Sequence, residues 1–152
     1  VSVPAEVSLQ KIKAELPLAL AYANSAGLVI DTRRLTSEDL RFFVAFKNSI
    51  GEESYVEFDC REYPMHPPTV EFVNKDRTER GLKQLYPQGF HETPCICMRY
   101  NRKAYGERGG PHKDWRLLDW QLPTANGVAI DTLTLMISDL NSKIRASTGR
   151  MA

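Results

Sequence analysis

Two cysteines, Cys95 and Cys97, close a stretch that reads Tyr-Pro-Gln-Gly-Phe-His-Glu-Thr-Pro-Cys-Ile-Cys-Met over 86–98. A thiolate both attacks a carbonyl carbon and departs from it again, so a cysteine held in one place can accept an acyl group and hand it on. The prolines in this stretch, and those of Tyr-Pro-Met-His-Pro-Pro over 63–68, fix φ and push their predecessors toward extended geometry. The backbone around Cys97 is therefore expected to be stiff. A free thiol has a pKa of about 8.5, which leaves little thiolate at neutral pH. Arg99, Arg102 and His91 are the nearby groups in sequence that would raise that fraction. Two other readings compete. Free cysteine is among the most buried residue types, so Cys97 also reads as a small core residue, as does Cys60 at the end of a strand-like run. His91, Cys95, Cys97 and His112 offer four zinc-type ligands, although Cys-x-Cys is not the usual knuckle spacing.

The bulk numbers narrow the field. At 152 residues the chain fits one domain with a respectable core. Twenty basic residues against 19 acidic ones leave a net charge of +1, which argues against a nucleic-acid binder with a broad basic footprint. No apolar run approaches the roughly 20 residues needed to cross a bilayer, and no leader pattern is expected at the start. Three cysteines, an odd number without disulfide-like spacing, point to a reducing, cytoplasmic compartment.

Several elements must position the thiol. Val7, Leu9, Ile12, Leu16 and Leu20 recur at roughly helical spacing; Pro17 predicts a helix to about Leu16, then a break or kink. The Ala-rich continuation to Ala23 adds a further turn or two, and Ser25-Ala26-Gly27 reads as the stop. Four strand-like runs follow. Leu28–Leu35 is the weakest, Leu40–Lys47 the richest in β-formers, and Ser54–Cys60 and Thr69–Val73 alternate as half-buried strands do. Short joints predict an antiparallel meander with one face on a helix and the other partly wet. Asn74–Leu85 is charged and turn-like, and Arg99–Asp119 is expected to be an irregular, functional or mobile loop. Ile130, Leu133, Ile137, Leu140 and Ile144 define a final helix, with Thr124 or Asn126 as its cap and a fraying tail from Ala146. The fold class is α+β.

This order of elements and motifs resembles the ubiquitin-conjugating (E2) family. Gln10-Lys11-Ile12-Lys13-Ala14-Glu15-Leu16 is similar to that family's opening helix. Tyr63-Pro64 with Pro67-Pro68 is similar to its Tyr-Pro-x-x-Pro-Pro signature, and Ile96-Cys97-Met98 to the Ile-Cys-Leu that carries its active-site thiol. Trp120 and Pro123 are similar to its Trp-x-Pro, and the likeness runs from about Val7 to Ile144. Two departures stand out. The His-Pro-Asn before the thiol has only Tyr86-Pro87-Gln88 as its nearest match, and 22 residues (98–119) separate Cys97 from Trp120. Such a shortened domain resembles the stand-alone bacterial E2-like proteins, found beside E1-like and deubiquitinase-like partners, often in antiphage defence loci.

The resemblance implies a transferase that carries a ubiquitin-like modifier as a thioester on Cys97 and passes it to an amine of a protein substrate, without a cofactor. It implies Gln88 as the oxyanion or loop-holding amide, with His91 or Glu92 as substitutes. Asp114 and Asp119 become amine-activating carboxylates if the long loop folds back over the thiol. Gln10, Lys11 and Lys13 would face an E1-like activating enzyme. Neither nucleic acid nor a membrane is an expected partner. The alternative is a catalytically inactive E2 variant that serves as a binding module for a ubiquitin-like protein.

Overall fold

The computed structural model describes residues 2–123 and 127–151. Helix α1 (Ala5–Ala26) is followed by strands β1 (Val29–Asp31), β2 (Arg41–Lys47), β3 (Glu53–Asp59) and β4 (Thr69–Val73), and the chain closes with helix α2 (Leu133–Ala146). The strands pair antiparallel in the order β1-β2-β3-β4, the expected meander. Alternation decides the faces. Phe42, Val44, Phe46, Val56, Phe58, Val70 and Phe72 all turn inward and are fully buried. Phe42 and Phe58, opposite each other in the register, stack with centroids 4.9 Å apart. The two helices pack on each other, and α2 lies on the inner face of β2. On the outer face, buried Glu57 is answered by Arg41 at 3.4 Å and Arg80 at 2.8 Å.

Pro17 does not break α1, contrary to expectation. The missing amide would have bonded the carbonyl of Lys13; Lys13 and Pro17 are both exposed, so water is available to that carbonyl. Ile12, Ala19 and Ala23, buried on either side, hold the helix in one piece. The stop falls where Gly27 was expected to set it: at φ 75°, a conformation glycine adopts without strain, it lets Leu28 N–H donate back to Ala23 O at 2.8 Å.

Helix α2 begins later than its apolar period suggests. Ile130 precedes it, and the capping oxygen belongs to Thr132, which accepts from Leu135 N–H at 3.2 Å. The expected caps Thr124 and Asn126 lie outside the described residues. Across the helix pair, Glu15 of α1 accepts from Leu133 N–H at 2.7 Å, placing a carboxylate at the positive end of α2.

The tail after α2 docks rather than frays: Gly149 O accepts from Gln88 N–H at 3.0 Å and Met151 N–H donates to Tyr86 O at 2.9 Å. Arg150 donates to Ser54 Oγ at 2.6 Å and to the carbonyl of Glu53. The outer edge of β4 is also closed. Val70 N–H donates to Asn101 Oδ1 and Phe72 N–H to Glu71 Oε1, both at 2.9 Å, while Gly81 N–H donates to Phe72 O at 3.1 Å. No helix among the described residues is long and apolar enough to cross a membrane.

Candidate active site

Cys97 lines an apolar groove of about 160 Å³ together with Met98, Trp115, Trp120, Leu122 and Ile130, with Arg99 and Tyr100 as its polar members. Of the three free thiols, Cys60 and Cys95 are buried and only Cys97 is partly exposed. Backbone turns set its position: Met98 N–H donates to Ile96 O at 2.9 Å, making Cys97 the middle residue of a three-residue turn, and Asn101 N–H donates to Met98 O at 2.9 Å.

The electrostatics rank the sulfurs. Burial pushes the Cys97 thiol up, and a hydrogen bond from Cys95 works against that rise. Cys95 is pushed up to about 12, by burial first and by its neighbour Cys97 second. Cys60, wholly buried, is held well above the ordinary thiol value. Cys97 is therefore the thiol that can meet a reagent. The cations expected to help are otherwise engaged. Arg99 lies over the Trp115 ring at 4.8 Å. Arg102 donates to Pro67 O at 3.2 Å and to the carbonyl of Arg61. His91 is exposed and bonded to Thr93, at 2.9 Å to its carbonyl.

One lining residue, Trp120, is fastened to the turn at 63–68. Trp120, 2% exposed, donates its indole N–H to Pro64 O at 3.2 Å and Met65 O at 3.1 Å. Tyr63, joined to Pro64 by a cis peptide, packs beside it with ring centroids 6.2 Å apart. Its hydroxyl donates to Glu15 at 2.6 Å, and its carbonyl accepts from the buried Ser8 hydroxyl at 2.7 Å. Trp115 also lines the groove and comes from the segment expected to be irregular. That segment is organised by short 3-10 turns at Arg102–Ala104, Gly106–Arg108 and Leu117–Asp119. His112 stacks on Trp115 at 3.6 Å and Tyr105 meets it edge-on at 5.5 Å. Gly110 is obligatory there, because a Cβ would fall 2.2 Å from Lys103 O. Tyr100 anchors the groove to α2 through Asp139 at 2.7 Å.

The other sequence-predicted residues are not gathered around the sulfur. Gln88 is exposed and faces the docked tail at Gly149. Asp114 is exposed, and Asp119 is 3.6 Å from Arg116; the loop brings Trp115 rather than either carboxylate to the groove. Gln10, Lys11 and Lys13 are all exposed on α1, with Lys11 3.7 Å from Glu15. Among the described residues no group of three or more His, Cys, Asp or Glu side chains is placed to hold a metal ion. One residue that matters here went unread: Asn101, whose amide joins three segments. Nothing local in the sequence signals it.

Neither a family model nor a curated protein matches the chain. What the protein does must therefore be argued from this site.

Proposed function

We propose that the chain is an E2-like conjugating enzyme, built on the ubiquitin-conjugating fold, that carries a ubiquitin-like modifier as a thioester on Cys97. The Cys97 thiolate attacks the carbonyl carbon of the modifier's C-terminal thioester on an E1-like activating enzyme, and the activator's sulfur leaves. An amine of a protein substrate then attacks the new thioester, an amide forms, Cys97 departs as thiolate and the amine gives up a proton. The observation that carries this reading is that the one partly exposed thiol lines a groove shared with Trp120, which is locked to the Tyr63–Pro68 turn. An extended apolar tail laid along Trp115, Leu122 and Ile130 would bring its terminal carbonyl to the sulfur. The exposed Gln10, Lys11 and Lys13 are assigned to the activator. The setting is a cytoplasmic bacterial conjugation pathway of the defence type.

A specific observation favours the rival reading, a catalytically inactive variant that binds a ubiquitin-like protein. The Cys97 thiol is raised, no carboxylate lines the groove among the described residues, and Gln88 faces away from it. One experiment separates the two. The protein is mixed with a competent E1-like activator, modifier and ATP and run on a non-reducing gel. A band that collapses with added thiol and disappears in Cys97→Ala supports the carrier. Absence of any thiol-sensitive band in the parent protein leaves the binder.

A further inference from the structure

We infer that Asn101 is the positioning residue of this site: its side chain holds the Cys97 turn in the conformation that presents the sulfur to the groove. The inference bears on the carrier reading above but can be tested without it. Asn101 is fully buried and all of its side-chain polar capacity nearest the site is used. Its Nδ2 donates to Ile96 O at 2.9 Å, the same carbonyl that accepts Met98 N–H and so closes the turn around Cys97. Its Oδ1 accepts from Val70 N–H at 2.9 Å, on the first turn-free residues of β4, and from Lys103 N–H at 3.1 Å. One amide thus fastens the cysteine turn to the sheet and to the segment that leads to Trp115. A carboxamide suits this place because it donates and accepts at once. Among the described residues no other side chain bonds Ile96 O, whereas Gln88 meets the tail. A preorganised turn of this kind keeps a reacting atom within the narrow tolerance that group transfer requires.

The test compares the full chain with Asn101→Asp and Asn101→Ala. Asn101→Asp keeps the acceptor oxygen toward Val70 and Lys103 and turns an oxygen onto Ile96 O; Asn101→Ala removes all three contacts. The readout is the rate at which iodoacetamide alkylates each cysteine as a function of pH, followed by peptide mapping. The expected result is that Cys97 loses its burial: its pH profile moves toward that of an ordinary thiol and its alkylation at neutral pH becomes several-fold faster. Cys60 and Cys95 stay unreactive, which certifies the fold. If Asn101→Ala does not fold, Asn101→Asp decides. A Cys97 profile that superimposes on the parent's in a folded variant, or alkylation of all three cysteines together, would overturn the inference and reduce Asn101 to general structural support. The expected profile with no thioester in any variant would leave the positioning role standing and remove the carrier reading.

Discussion

Two polar, proline-bearing segments, the turn at 63–68 and the arch at 88–94, are held in different ways. The turn is gripped from several sides: Ser8 and Glu15 hold Tyr63, and the Trp120 indole caps the carbonyls of Pro64 and Met65. The arch is held by fewer polar ties. His91 bonds Thr93, Glu92 and Thr93 are exposed, and its long-range ties are Gln88 N–H to the tail and the Phe90 ring set edge-on against Phe72 at 5.2 Å. A residue type expected to act on the thiol sits in the loose segment, whereas the groove wall is built on the tight one. The difference teaches that the sulfur is presented from the side of Ile96 and Asn101, not from the segment immediately before it in sequence.

The largest effect should come from cutting the tight side. Trp120→Ala removes a buried indole and its two bonds, and is expected to cost about 3–5 kcal/mol in urea unfolding. A loss under about 1 kcal/mol would mean that the turn holds itself without the indole. Next, Glu15→Ala strands both the Tyr63 hydroxyl and the Leu133 amide. The expected loss is about 2 kcal/mol by the same measurement, and an unchanged midpoint would remove Glu15 from the clamp.

A pH test sharpens the contrast further. Tyr63 N–H donates to Cys60 O at the base of the tight turn, and burial holds the Cys60 thiol well above its ordinary value. In the unfolded chain that proton leaves above about pH 8.5, whereas the folded state keeps it. The folded state therefore binds more protons there. The stabilisation is complete below the unfolded pKa and is lost as pH rises, by up to about 1.4 kcal/mol per pH unit. Cys60→Ala should flatten the alkaline fall of stability between about pH 8.5 and 10 relative to the parent; parallel slopes would show that the thiol titrates alike in both states. The smallest effect is expected in the loose arch. Gln88→Ala should change stability by no more than about 0.5 kcal/mol and leave Cys97 alkylation as it was. A tenfold change in that rate would collapse the comparison and restore Gln88 to the site.

The sheet was legible in the sequence for a physical reason: alternation along 54–60 and 69–73 directly encodes which side chains are buried. Thr69–Val73 was placed to the residue. Pro17 misled because proline's cost depends on which carbonyl goes unanswered, and that is decided by the exposure of Lys13. The tail misled because composition registers small, polar residues, while Arg150 is fixed by Ser54 and the carbonyl of Glu53, nearly a hundred positions away. Asn101 stayed invisible because its worth arises only where Ile96, Val70 and Lys103 converge. Asp114 and Asp119 were weighed on the premise that the loop folds over the thiol. It does form a wall there, but stacking of His112 and Tyr105 on Trp115 decides which residue faces in.

The sealed flank of β4 reaches beyond the site. A bare strand margin invites a neighbouring molecule to add its own backbone, the first step of ribbon-like association. Here a carboxylate and a carboxamide from the same chain already occupy the amides of Phe72 and Val70. A stranger arriving at that border would have to displace bonds already made, so the protein should withstand crowding on this side even at high concentration.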